Sequence, residues 1–338
     1  MDDVAGWRQV TVPFADFARS AEQPAGAPDD GLNLTDVWGY GFATPNGGSM
    51  LFDAVRLDVP PPPLELTVTS LADSGAGSLR EALGRIASGG TVSFDAALSG
   101  GVIGLSSGPL VPPVDVTIDA GAVGGITVDG GGVDRLLIVN PGLSVSIRGL
   151  TLTNGYGFQL AGGVLNNGHL TLQEVVVTDN LMTTDAGDFW QGGGGIYNGE
   201  GSTLILRNST VSNNTSGFSG GGIYSFFDTT TIIENSTISG NVAQDVGGGL
   251  RTLGDLALTD STISGNVSTA WHGGAAFVTD GAANILHSTI TGNTAPGGTA
   301  GGLFVGTFGD APASAVISNS VVSNNGDFGC FLAPFGAG

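Results

Sequence analysis

Short apolar segments separated by Gly, Asn, Ser and Thr recur along most of the chain, and seven of them align without gaps over eleven residues. Anchored on the last residue of Asn-Ser-Thr-Ile-Ser-Gly-Asn, they end at Gly155, Asn180, Asn214, Asn241, Asn266, Asn293 and Asn325. By subtraction the anchors lie 25, 34, 27, 25, 27 and 32 residues apart, a unit of 25–27 with insertions. Three residues before the anchor stand Leu152, Val177, Val211, Ile238, Ile263, Ile290 and Val322. Eight before it stand Ile147, Leu172, Leu206, Ile233, Leu258, Ile285 and Ile317, and ten before it the column runs from Val145 to Ala315 and is mostly apolar. A spacing of two is strand alternation, and the jump of five across Asn-Ser is a corner. A further strand is marked by Gly-Gly followed by Val164, Ile196, Ile223, Leu250, Ala275 or Leu303. Three short strands per turn, stacked coil on coil, predict a right-handed parallel β-helix over residues 64–338, with repeats at about 145–325. The anchor Asn residues are expected to be structural: they tolerate left-handed backbone, and their amides can hydrogen-bond up a ladder.

Other patterns bracket this array. Ser78-Leu79-Arg80-Glu81 is a capping box followed by Leu79, Leu83 and Ile86 at helical spacing; it predicts one helix over 78–87, placed to close the open end of the solenoid. Pro60 to Pro63 reads as a stiff linker. Residues 1–59 hold about three alternating segments, too few for a complete two-layer sandwich.

Composition narrows the partners. Of 338 residues 60 are Gly, the formal charge is −21, and all nine basic residues are Arg. Such a field repels nucleic acid and anionic membrane surfaces, and leaves a neutral polysaccharide, a divalent cation or a basic protein compatible. No apolar run is long enough to insert into a membrane, and a single Cys330 cannot form an intrachain disulfide. Met1-Asp2-Asp3 opens directly into a strand-like segment; the chain is therefore expected to be part of a longer secreted protein, and a monomer.

Two resemblances add to this. Trp7, Pro13-Phe14, Phe17, Leu34 to Phe42 and Leu51 to Leu57 resemble the C-terminal part of a jelly-roll carbohydrate-binding module of the family-eleven type, a partial β-sandwich. In related modules an acid matching Asp53 helps hold a structural calcium, which that likeness implies here; no other cofactor is expected. Ser78-Leu79-Arg80-Glu81-Ala82-Leu83, the Gly-Gly-Gly-Ile-Tyr units and Asn-Ser-Thr-Ile-Ser-Gly-Asn resemble bacterial surface proteins with pectin-lyase-like β-helices and polymorphic-outer-membrane-protein type repeats. Gly77 stands where their motif has Cys. That resemblance implies an extracellular or cell-surface location.

Candidate chemistry lies outside the apolar columns. The motifs of pectin-cleaving polygalacturonases are missing, and no Lys exists to bind a uronate. The polar column six before the anchor holds Glu174, Asp260 and His287. Glu174 and Asp260 are three coils, roughly 14 Å, apart, too far for paired acid–base work, which leaves Asp260 with His287 as a proton-transfer pair. The loops between anchor and Gly-Gly carry Tyr156, Phe158, Asp185, Asp188, Phe189, Trp190, Phe218, Trp271 and His272. Aromatic rings on successive coils can stack on sugar faces and carboxylates can accept from hydroxyls, so these nine are the candidate ligand edge. Tyr197, Tyr224 and Phe304 are expected to form an outward stack. Three readings stay open: a noncatalytic, adhesin-like or glycan-binding surface protein; a polysaccharide lyase or glycoside hydrolase using Asp185, Asp188, Asp260 or His287; and a purely structural stalk.

Overall fold

The computed structural model describes residues 61–185, 190–297, 300–306, 313–326 and 328–332. The chain divides into two units, Met1–Val59 and Pro60–Gly338, and only the second holds described residues, so the expectations for residues 1–59, Asp53 included, lie outside them.

Alternation of apolar and hydroxyl residues produces strands of two to five residues that wind as a right-handed parallel β-helix. Among the described residues the strands form parallel sheets of ten, nine, eight and five. The ten-stranded sheet runs from Glu65–Val68 to Ser314–Ser318, and the nine-stranded sheet from Val102–Gly104 to Val321–Ser323. Register holds from coil to coil: Leu152, Val177, Val211, Ile238, Ile263, Ile290 and Val322 pair in succession. So do Ile147, Leu172, Leu206, Ile233, Leu258, Ile285 and Ile317. These columns face inward and are buried except in the last coil, where Ile317 is exposed. The fixed coil spacing of ~4.8 Å lets like side chains stack with little void.

Several expectations need correction. Each turn of the central coils has four strands, not three: a short sheet of Tyr156–Phe158, Leu181–Thr183, Thr215–Ser216, Val242–Ala243 and Val267–Ser268 follows the anchors. Its strands are too short to show as alternation. Ala276, not Ala275, pairs with Leu250 and Leu303. Ala275 takes the place of the second glycine, a position where coils nearly touch: a Cβ on Gly195 would lie 2.7 Å from the Gly222 carbonyl oxygen. The anchor Asn residues are not left-handed either. Positive φ falls on the residue before them (Asn154, Asp179, Asn213, Gly240, Gly265, Gly292, Asn324) and on the column six before (Glu174, Asn208, Asn235, Asp260, His287, Asn319).

The amide ladder does form. Asn180, Asn214, Asn241, Asn266 and Asn293 are buried, and each Nδ2 donates to the next anchor's Oδ1 at 2.8–3.0 Å. Each of these Nδ2 groups also donates to a backbone carbonyl, as Asn241 does to Val211. A second ladder of Ser209, Ser236, Ser261 and Ser288 lines the other corner, each backbone N–H donating to the next Ser Oγ.

The helix spans Leu79–Arg85 with Ser78 as N-cap, its Oγ accepting from the Glu81 N–H. Glu81 reaches back to the Gly77 N–H at 2.7 Å rather than to Ser78 itself. Leu79, Leu83 and Ile86 are buried in the core, closing the first coil as expected.

Candidate functional site

The eight-stranded sheet has an outer side that is not bare. One position past the buried Gly-Gly column, Leu165, Tyr197, Tyr224, Arg251, Phe277, Phe304 and Phe331 stand in successive register. Tyr197 and Tyr224 stack at 5.2 Å, Phe277 and Phe304 at 4.6 Å, and Phe304 and Phe331 at 5.4 Å. The expected outward stack is present, and it is longer than Tyr197, Tyr224 and Phe304 alone. Arg251 interrupts it, its guanidinium carbon 5.1 Å from the Tyr224 ring and 5.9 Å from Phe277. A cation between ring faces is favourable where water is excluded, and Arg251 is 2 % exposed.

Loops leaving the five-stranded sheet bring three of the nine ligand-edge residues, Trp190, Trp271 and His272, against this aromatic cluster. Trp190 meets Phe226 edge-on at 5.6 Å and Phe227 at 5.3 Å. Trp271 sits 6.1 Å from His272, which stacks on Phe304 at 4.8 Å. Trp190 and Trp271 keep 41 % and 57 % of their surface exposed; Trp190 is packed on one side by Phe226 and Phe227, while Trp271 leans on the ring of its neighbour His272. Phe218 is half-buried, its carbonyl accepting from the Asp245 N–H. Under the loops Arg251 Nη1 donates to Ser219 Oγ at 2.8 Å, and Ser219 Oγ donates to Asp245 Oδ2 at 3.1 Å. Burial raises the Asp245 carboxyl above its ordinary pKa against the pull of Ser219 and Arg251, and burial lowers that of His272. The same burial pushes Tyr224 up to about 12.

Tyr156 and Phe158 lie in the first strand of the five-stranded sheet, not in a loop. Tyr156 Oη is 2.8 Å from Thr183 Oγ1, and Phe158 is exposed. Asp185 is exposed beyond Leu181–Thr183; Asp188 and Phe189 lie outside the described residues. Asp260 and His287 do stand on adjacent coils, Oδ1 to Nδ1 3.7 Å, longer than a hydrogen bond. Both occupy left-handed corner positions, and His287 Nε2 faces Asn319 at 3.2 Å. Glu174 is paired with Arg148 at 3.1 Å. Among the described residues no three His, Cys, Asp or Glu side chains group to hold a metal, and no helix is long and apolar enough to cross a membrane.

Sequence reasoning passed over Phe226, Phe227, Arg251 and Phe277. The one-residue slip at Ala275 hid Phe277 from its column, and Arg251 broke an aromatic pattern that a register of backbone pairs makes plain.

Comparison with family models gives two matches: residues 124–333 to the right handed beta helix region, and residues 1–58 to the carbohydrate binding domain (family 11). No curated protein and no solved structure matches the chain.

Proposed function

This chain belongs to the right-handed β-helix family, and from that membership, with a family 11 carbohydrate-binding match ahead of it, we propose that it binds polysaccharide without cleaving it, at or outside the cell surface. Both family matches support polysaccharide binding or processing as the broad activity. The observation that carries the finer reading is the pair of exposed rings, Trp190 and Trp271, carried on loops beside an aromatic outer column. A ring fixed on one side loses little entropy when a pyranose stacks on the other, and stacking adds to the area it buries.

Binding rather than turnover is supported by the acids. Asp260 and His287 are beyond hydrogen-bond reach and serve as corners, and Glu174 is held by Arg148. The test pairs affinity electrophoresis on a polysaccharide panel with reducing-sugar and unsaturated-product assays, with and without calcium. Trp190→Ala and Trp271→Ala are each expected to weaken retention about tenfold, roughly 1.4 kcal/mol, with no product formed by the parent. Product formation abolished by Asp185→Ala or Asp188→Ala would replace binding by catalysis, and unchanged retention in both Trp variants would remove the aromatic surface from the account.

A further inference from the structure

We infer that the ligand of the Trp190–Trp271 surface is a neutral polysaccharide several sugars long, and that uronate-rich or sulfated chains are excluded; this rests on the carbohydrate-binding reading above. Recognition of a carboxylated or sulfated polymer needs cations free to meet it, because each anionic sugar must exchange its hydration for a charged partner. The chain has no Lys, and each Arg among the described residues is committed within the protein. Arg80 is held by Asp73 and by the carbonyls of Gly108 and Pro109. Arg85 pairs with Glu81, Arg148 with Glu174, and Arg207 with Glu234. Arg135 is turned onto the carbonyls of Phe158 and Leu160, where burial lowers its pKa. Arg251 lies nearest the rings, yet it is enclosed between Tyr224 and Phe277 and donates to Ser219.

Acids, by contrast, border the aromatic column. Asp185 precedes the Trp190 loop, and Glu200 and Asp228 are exposed beside the Tyr197–Phe226–Phe227 cluster. Asp245 lies under the loops. The local field therefore has the sign of the net charge, −21, and repels a polyanion while carboxylates accept from neutral hydroxyls.

Length follows from the coil spacing. The strands that launch the two loops, Leu181–Thr183 and Val267–Ser268, are three steps apart in the five-stranded sheet, so the loops start roughly 14 Å apart along the solenoid. A disaccharide reaches one ring, whereas a longer oligosaccharide reaches both and gains the second contact as an intramolecular event.

The full chain and its Trp190→Ala/Trp271→Ala double variant are compared on gels containing hydroxyethyl cellulose, galactomannan, polygalacturonate, alginate or heparin, at low and high salt and with added calcium. Because the double variant leaves residues 1–58 untouched, the difference between the proteins reads this surface alone. The expected result is a ring-dependent retention by at least one neutral polymer, insensitive to salt, no ring-dependent retention by the three polyanions, and at least about tenfold weaker competition by the neutral disaccharide than by its hexamer. Ring-dependent binding of a polyanion, with or without calcium, or equal competition by disaccharide and hexamer, overturns the inference and leaves carbohydrate binding standing. Retention by no polymer at all takes down the carbohydrate reading itself.

Discussion

Asn241 shows why a single residue type governs the corner. Its Oδ1 accepts from both the backbone N–H and the Nδ2 of Asn214, while its own Nδ2 donates to Asn266 Oδ1 and the Val211 carbonyl. Buried at 0 % exposure, it satisfies groups on the coils on either side that water cannot reach. Asn241→Ala is expected to cost roughly 2–4 kcal/mol by orphaning several of them, read as a lowered urea midpoint with unchanged slope. A loss below about 0.5 kcal/mol, the size of an ordinary surface change, would mean the ladder is incidental. The column was legible because six coils repeat the residue. Its mechanism was legible only in part: left-handed backbone belongs to Asn213 and its equivalents, one residue earlier, and spacing alone does not assign φ between two adjacent small polar residues. The polar column of Asp260 and His287 belongs to the other corner, beside Ser261 and Ser288, where φ of 50° and 51° favours the Asn, Asp and His residues that tolerate left-handed backbone.

At the level of elements, the helix that closes the solenoid was readable from a capping box, but what pins it was not. Asp73 Oδ2 accepts from the backbone N–H groups of Ser106 and Ser107, and Asp73 Oδ1 takes Arg80 Nη2 at 2.6 Å. Ser106 and Ser107 lie more than thirty residues from Asp73 in sequence and carry no periodic signal. Burial works to raise the Asp73 carboxyl, yet the hydrogen bonds from Ser107, Arg80 and Ser106 outweigh it and hold the group far below the ordinary carboxylate range. A depressed folded-state pKa contributes stability that is present above the unfolded value of 3.8 and is lost as pH falls through the folded one. Asp73→Asn is therefore expected to be destabilised by about 2 kcal/mol at neutral pH and to lose less of its remaining stability than the parent as pH drops below 4. Parallel stability–pH curves would show that the cap does not depend on this carboxylate. The fourth, five-stranded sheet also escaped sequence reading, since strands of two residues such as Val242–Ala243 show no alternation and are created by stacking rather than by propensity.

Across the whole molecule, a dry interior built from repeated aliphatic columns leaves the outer faces free to vary, and on one face the variation is aromatic and covered by loops. The interior was recoverable from one sequence because burial demands the same residue class at each turn. The outer column was only partly so, because stacking on the outside of the sheet accommodates Tyr, Phe and Arg alike, and a one-residue slip at Ala275 is invisible without backbone pairing. The most direct measurement of the central claim is hydrogen–deuterium exchange on the full chain with and without a retained neutral polysaccharide. Added protection is expected in the segments around Trp190, Phe218 and Trp271. Protection confined to residues 1–58, with those loops unchanged, would contradict the assignment of a sugar-binding surface to the β-helix.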